Sequence, residues 1–177
     1  NGEMDAGYRY LSDWRRDYDK TGLLYCHVSW HVALWALEQG HIDEMWQIID
    51  TDISPGVAIG PPLVVLCDAS AVLFRASLMG VDVPPDRWRT VCEHAAKFFP
   101  DTGVAFGDVH AALAYAMAGD NTQLTRIISD AKGPACEVVR DLAEAFGAIA
   151  EENWTSAAAR LAAAMSDLAR IGGSKAQ

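Results

Sequence analysis

Alanine-rich segments of helical length alternate with short breaks of glycine and proline along the chain, and signals for β-strands are nearly absent. The last segment shows the helical period plainly, with apolar residues at Ala158, Leu161, Met165 and Leu168. The pattern predicts an all-α chain. The nine helices are expected near residues 3–19, 23–39, 41–51, 63–79, 85–98, 105–118, 120–131, 135–151 and 154–170.

Several of these segments begin with residues that favour the start of a helix. Pro84 and Pro85 precede one segment and Pro134 precedes another, and proline has the backbone dihedral that a first helical turn requires. Asp120 and Asn153 follow tight turns, where their side chains can accept hydrogen bonds from free backbone amides. We therefore expect helices to start at these places, with Asp120 and Asn153 as N-caps.

A repeat is visible in the turns between helices. Gly40, Gly80 and Gly119 each follow one apolar helix and precede another, at spacings of 40 and 39 residues, and Asn153 takes the corresponding place 34 residues later. Periods of about 34 residues are typical of tetratricopeptide repeats, and periods of about 40 or more are typical of HEAT-like repeats. The spacing predicts a short α-solenoid of antiparallel helix hairpins that resemble tetratricopeptide repeats with lengthened connections.

The domain organisation follows from this repeat. We expect one helical-repeat domain over residues 1–177, in which an N-terminal helix at 3–19 precedes four hairpins. These hairpins are predicted at 23–51, 63–98, 105–131 and 135–170. Exposed ends of a repeat array need polar caps, but the last helix is rich in alanine and the chain stops soon after it. We therefore expect a piece of a longer protein, or a homo-oligomer that covers its exposed repeat ends.

Charge and hydropathy exclude several classes of partner. The 177 residues carry 14 basic and 24 acidic side chains, a formal net charge of −10. This balance argues against binding to nucleic acids or to an anionic membrane. The longest apolar run, 57–66, is interrupted by Gly60, Pro61 and Pro62, whereas a membrane-spanning helix needs about 20 apolar residues. No motif for a cofactor is recognisable, so none is expected.

The four cysteines predict a cellular location rather than a chemistry. Cys26, Cys67, Cys92 and Cys136 are widely spaced and form no CxxC motif, which favours reduced, buried thiols. Residues 1–5 lack the basic and apolar regions of a signal peptide. Both observations predict a cytoplasmic protein.

Histidine and aspartate recur at similar positions before the turn glycines. His31 and His110 both stand nine residues before their glycine, while His27, Asp68 and Asp108 stand 13, 12 and 11 residues before theirs. In hairpin repeats the first helix of each pair usually lines the concave surface. We therefore expect these five side chains to lie around one groove.

Three roles are open for this cluster. His27 and His31 are four residues apart, so they share one helix face and are candidate metal ligands, although no HExxH motif is present. Alternatively the groups bind a polar ligand, with Trp30 stacking on it and Arg75 binding an anion. In the third role they bond to each other and to helix ends. Ser174, which follows two glycines, is a weak candidate nucleophile.

Five short segments, in this order, resemble one family. They are His27-Val28-Ser29-Trp30-His31, Asp68 with Ser70, Leu73 and Arg75, Arg87-Trp88, Phe106-Gly107-Asp108-Val109-His110, and Ile171-Gly172-Gly173-Ser174-Lys175-Ala176-Gln177. From about Gly7 to Gln177 the chain is similar to the central segment of the tetratricopeptide repeat protein 38 family, whose members are longer. The resemblance implies a helical-repeat fold. It also implies that the matching histidines, aspartates and Arg75 are a polar signature, without assigning a reaction.

Two hypotheses of function follow. The first is an interaction module that binds a protein or peptide in its concave groove, where the acidic face favours a basic segment. The second is an enzyme, or a protein that binds a small molecule or a metal, in which His27 and His31 act as bases or ligands and Asp108 orients His110.

Overall fold

The computed structural model describes residues 3–173, apart from the side chain of Met4, and over this range it is helical without strands. The predicted all-α class is therefore confirmed. The nine α-helices of this range are α1 Met4–Asp17, α2 Tyr25–Glu38, α3 Ile42–Ile48, α4 Pro62–Leu78, α5 Pro85–Phe98, α6 Ala105–Ala118, α7 Asn121–Asp130, α8 Cys136–Ala150 and α9 Trp154–Ala164. The chain forms two compact units, Asn1–Val83 and Pro84–Gln177.

Helix α2 is the centre of the first unit, which we call unit 1. It packs against α1, α3 and α4. This explains why its sequence is apolar on nearly every side: a helix with neighbours all round must bury most of its surface. The side chains of Trp30, Val32 and Leu37 on α2 are almost completely buried, as is Leu66 on α4.

Helix α3 ends differently from the prediction of a regular helix at 41–51. After Ile48 the backbone widens into a π-helical turn, Ile49–Ile53, in which the amide of Ser54 bonds the carbonyl of Ile49 at 2.8 Å. The wider turn directs Ile49, Asp52 and Ile53 into the interior, where each is at most 3% exposed. Such turns inside or after α-helices are rare and often occur at functional sites.

The second unit, called unit 2 below, is arranged around α6 and α8. Helix α6 packs against α5, α7 and α8, and α8 packs against α7 and α9. The core includes Val91, Ala112, Tyr115 and Val139, each at most 2% exposed. A 3₁₀ segment, Met165–Ile171, continues α9 and contacts both α6 and α8.

The turn after each repeat helix has one geometry at four places. The left-handed residue is Gly40, Gly80, Gly119 or Glu152, and the amide of the next residue bonds a carbonyl five positions back at 2.8–2.9 Å. This is a Schellman motif, which satisfies the last carbonyls of a helix. The fourth turn corrects the alignment: Glu152, with φ +57°, occupies the glycine position, and Asn153 corresponds to Asp120.

The predicted helix starts are mostly confirmed. The side chain of Asp120 accepts from the amide of Gln123 at 3.1 Å, and that of Asn153 accepts from Ser156 at 3.2 Å. Helix α5 begins at Pro85. Pro134, by contrast, lies in the turn before α8 rather than in its first turn, because α8 begins only at Cys136.

Within each unit, neighbouring helices pack as pairs joined by tight turns: α2 with α3, α6 with α7, and α8 with α9. The four predicted hairpins, the single domain and the solenoid stay predictions. In the hairpin predicted at 63–98, α4 belongs to unit 1 and α5 to unit 2. Within residues 3–173, no helix combines the length and the apolar character needed to cross a membrane.

Candidate functional site

The polar centre of unit 1 is a pair formed by Asp68 of α4 and His27 of α2. Asp68 is completely buried, whereas 28% of the His27 side chain is exposed. The Nδ1 atom of His27 lies 3.1 Å from each carboxylate oxygen, and since a carboxylate only accepts, Nδ1 is the donor. The pair fixes the ring of His27 and the tautomer of its neutral form, with the proton on Nδ1.

His31 lies beside this pair on the same face of α2. The rings of His27 and His31 are 4.8 Å apart between centroids and nearly perpendicular. Trp30, which is completely buried, stacks against His27 at 5.4 Å and meets His31 edge-on at 4.8 Å. The spacing of His27 and His31 predicted that these two residues share a helix face. Trp30, expected to stack on a ligand, is instead buried beneath the histidines.

The two histidines respond to their surroundings in opposite ways. The hydrogen bond to Asp68 raises the pKa of His27 above its ordinary value, despite partial burial. Burial, and then the charge on His27, lower the pKa of His31. As the pH falls, His27 therefore takes up its proton before His31 does. Neighbouring groups whose pKa values are moved apart in this way can act as an acid and a base.

Cys26 lies next to this site, but its environment suppresses thiol reactivity. Its Sγ is 4.0 Å from Asp68 Oδ2, and burial, followed by the charges of Asp68 and Asp52, raises its pKa to about 12. Burial raises the pKa of Cys67 as well, and that of Cys92 to about 12. Since the thiolate is the reactive form, these are structural thiols. All four cysteines are free, although Cys136 is only partly buried.

A second buried carboxylate in unit 1 escaped the sequence analysis. Asp52, in the π-helical turn, forms an ion pair with Arg15 of α1, whose Nε also donates to Ser29 Oγ at 3.0 Å. Lys20 approaches the same carboxylate at 3.9 Å. One signal was available: Asp52 stands among Ile48, Ile49 and Ile53, and a charge within an apolar stripe needs a partner.

Asp108 and His110 lie in the first turns of α6, in unit 2. The carboxylate of Asp108 accepts from the backbone amide of Gly103 at 2.9 Å. Its burial raises the pKa, and the amides of Gly103 and Val104 and the charge of Lys132 oppose that rise. Asp108 thus binds the backbone of the turn that precedes its own helix, a local role that the spacing of the residues did not predict.

His110 is also bonded within its helix. Its Nδ1 lies 2.7 Å from the carbonyl oxygen of Phe106, to which it donates, and its ring meets the Phe106 ring edge-on at 4.6 Å. Only 5% of His110 is exposed. Its neutral form therefore carries its proton on Nδ1, as in His27, but here the acceptor is a backbone carbonyl.

The predicted cluster thus divides between the two units. Unit 1 brings together His27, Trp30, His31 and Asp68, and it holds Arg75, partly buried, in the last turn of α4. Asp108 and His110 belong to unit 2. Ser174, the candidate nucleophile, and the rest of its motif to Gln177 lie outside the described residues.

The predicted metal site has two named ligands, His27 and His31. Among residues 3–173, no group of three or more histidine, cysteine, aspartate or glutamate side chains is arranged to hold a metal ion. The Nδ1 atom of His27, moreover, is engaged with Asp68. A site on His27 and His31 would need other ligands, so this role stays a prediction.

Comparisons with known proteins add no identification. No family model matches the chain, and no solved structure matches it significantly.

Proposed function

We propose that this chain is a helical-repeat binding module of the tetratricopeptide-repeat type, which holds a protein or peptide segment against the histidines of α2. One observation carries the proposal: His27 and His31 stand side by side, partly exposed, on a base formed by buried Asp68 and Trp30. A rigid base that leaves two polar rings accessible is suited to binding. In the pH range where His27 is charged and His31 is neutral, the pair offers a donor on His27 and an acceptor on His31.

The repeated turn geometry supports the repeat part of the proposal. Helix pairs that are joined by the same Schellman motif, as at Gly40 and Gly119, support this part because hairpins of this kind stack in solenoids and create extended binding surfaces. Membership in the tetratricopeptide repeat protein 38 family belongs to the same proposal.

The partner that we propose carries a basic segment. Unit 1 has five lysines and arginines against twelve aspartates and glutamates, a formal charge of −7, whereas unit 2 has nine against twelve, a formal charge of −3. A field of this sign concentrates cationic ligands and accelerates their association, most strongly at low salt. The larger charge lies on the unit that holds the histidine pair.

Fluorescence anisotropy with a labelled lysine- and arginine-rich peptide, against an acidic peptide of equal length, tests this proposal. We expect saturable binding of the basic peptide that weakens with salt. Asp17→Lys with Asp43→Lys, both exposed in unit 1, should weaken binding at least severalfold. The matched control, Asp101→Lys with Glu151→Lys in unit 2, changes the net charge equally and should weaken it less.

The contribution of the site is tested by His27→Gln combined with His31→Gln. We expect this variant to stay folded and to lose affinity for the peptide, while His41→Gln, at an exposed histidine, keeps it. Equal loss in the two charge-reversal variants, or full affinity in the double histidine variant, would contradict the proposal.

A second function, general acid–base catalysis at the same pair, is favoured by the opposite pKa directions of His27 and His31. A charged His27 can donate a proton while a neutral His31 accepts one. Hydrolysis of a chromogenic ester should then show a bell-shaped pH profile that either single glutamine substitution makes one-sided. Rates equal to those of free imidazole, with no change in the variants, would exclude this function.

Two further parts of the proposal concern the setting of the protein. We propose a cytoplasmic location because the four cysteines are free thiols and three of them are buried. We also propose self-association through exposed repeat ends, since Trp154, Met165 and Leu168, in α9 and the 3₁₀ segment, are 40–70% exposed.

A further inference from the structure

We infer that Gly173 is a positioning residue for His110. Because Gly173 has no side chain, the Phe106 ring can lie beside the imidazole of His110 while the Phe106 carbonyl accepts the hydrogen bond from Nδ1. The significance of His110 as a binding group rests on the proposed function, but the geometry does not. The connection joins two segments that the sequence analysis singled out separately, Phe106–His110 and the glycine pair after Ile171.

The Phe106 ring occupies the place where a side chain at position 173 would begin. A Cβ built on Gly173 would lie 2.2 Å from Phe106 Cε2, 2.7 Å from Cζ and 2.9 Å from Cδ2. Distances this short do not occur between non-bonded carbon atoms. Any side chain at this position would therefore displace the ring. Gly172 is different: it also has a positive φ, +85°, but a Cβ there would meet nothing within 4 Å.

The glycine pair follows a segment that is anchored to other helices of unit 2. The 3₁₀ segment before it contacts α6 and α8, and Arg170 donates to the carbonyl of Pro134 while pairing with Asp167 at 3.2 Å. The backbone of Gly172 bonds the carbonyl of Ala169 at 3.4 Å. These contacts place the glycine pair against α6, so the ring must give way if a Cβ is added.

Phe106 in turn contacts His110 twice. Its carbonyl oxygen lies 2.7 Å from Nδ1, and the centroid of its ring is 4.6 Å from that of the imidazole. A ring that is pushed away from Gly173 presses on the imidazole and displaces it from the Phe106 carbonyl. The hydrogen bond that keeps the proton on Nδ1 then weakens, and Nε2 becomes protonated in part of the molecules.

The test is ¹⁵N NMR of the histidine side chains, which distinguishes the two neutral tautomers, at a pH well above the ordinary histidine pKa of about 6.5. His110→Gln assigns the signal. We expect one Nδ1-protonated form in the unsubstituted protein and in Gly172→Ala, and a mixture with the Nε2-protonated form in Gly173→Ala. Because both glycines have a positive φ, an alanine strains the backbone at either position, and an additional effect of Gly173→Ala reports the contact with Phe106.

Rescue completes the experiment. Phe106→Ala combined with Gly173→Ala removes the clash and keeps the carbonyl, so it should restore the Nδ1-protonated form. Equal effects of Gly172→Ala and Gly173→Ala, or no change in Gly173→Ala, would overturn the inference. If Gly173→Ala does not fold, nuclear Overhauser contacts between Gly173 and the Phe106 ring in the unsubstituted protein decide it. No peptide is needed, so the result is independent of the proposed function.

Discussion

In unit 1 the buried carboxylates Asp52 and Asp68 bind side chains from other helices, whereas in unit 2 the buried carboxylate Asp108 binds the backbone at the start of its own helix. The partners in unit 1 are 37 and 41 residues distant in sequence, and the partner in unit 2 is five residues distant. Asp68 and Asp108 nevertheless stand at nearly the same distance before a turn glycine, Gly80 and Gly119. Equivalent positions in the sequence pattern therefore do not imply equivalent roles.

The two kinds of contact depend on different parts of the structure. A contact between a side chain and the backbone five residues earlier needs only its own helix and the turn before it. A contact between helices exists only in the packed unit, and breaking one partner leaves a buried charge uncompensated. We therefore expect unit 1 to be more sensitive than unit 2 to substitution of its buried carboxylates, and the following experiments test this expectation.

The largest effect is expected from Asp52→Ala, which leaves Arg15 without its ion-pair partner. Because Asp52 is only 2% exposed and Arg15 only 19%, we expect the free energy of unfolding to fall by about 3 kcal/mol. Urea denaturation followed by tryptophan fluorescence measures it. The control is Asp13→Ala, which breaks the exposed pair with Arg16 and should cost less than about 1 kcal/mol. Equal losses of stability in Asp52→Ala and Asp13→Ala would show that the buried ion pair contributes no more than the exposed one.

A pH dependence confined to the histidine site is expected next. Because the pKa of His27 is raised, its stabilisation is complete below the unfolded value of about 6.5 and is lost as the pH rises through the folded pKa. The pKa of His31 is lowered, so stability also falls as the pH drops from about 6.5 towards that pKa. The contribution of the two histidines to stability should therefore be largest near the unfolded histidine pKa of about 6.5.

Single glutamine variants separate the two slopes. His27→Gln should remove the decline on the alkaline side, and His31→Gln should remove the decline on the acidic side. Urea midpoints measured across this pH range for each variant give the result. A profile that neither substitution alters would show that the pair contributes no linkage.

A smaller effect is expected from Asp108→Ala in unit 2. The substitution removes the acceptor for the Gly103 amide and should lower the free energy of unfolding by about 1 kcal/mol, the usual net contribution of one hydrogen bond. Asp108→Asn keeps an oxygen acceptor and should cost less still, because burial already disfavours the charged carboxylate. A loss as large as that of Asp52→Ala would show that Asp108 has a tertiary role.

The smallest effect on stability is expected at the exposed surface of the last helix. Leu161→Glu with Met165→Glu changes side chains that are 37% and 70% exposed, and should alter the free energy of unfolding by about 0.5 kcal/mol or less. Sedimentation velocity over a concentration series should show weaker self-association than in the unsubstituted chain. Identical profiles would rule out this surface as the oligomer contact.

The agreement between prediction and structure depends on how local each feature is. Asp120 and Asn153 were identified as caps because the interaction spans three residues. The turn at Glu152 was misaligned because a left-handed glutamate, φ +57°, leaves no signal in sequence, whereas glycine does. The π-helical turn was missed because it places Asp52 against Arg15, which comes from another helix.

The candidate site shows the same division. The spacing of His27 and His31 fixed their common helix face, and the position of Asp68 in the repeat suggested the layer in which it lies. The hydrogen bonds from His27 to the carboxylate, the burial of Trp30 beneath the rings and the opposite pKa shifts follow from the packing of α2 on α4. No pattern within one helix specifies them.

For this protein, the order of residues alone determined the helices, most of their ends and the turns between them, because helical periodicity, caps and left-handed turns depend on neighbours within about five residues. Only the tertiary structure decided which carboxylates are buried and what each one binds. Those contacts join residues about 40 apart in sequence, and they form only once packing has excluded water and made an unpaired charge too unfavourable to persist.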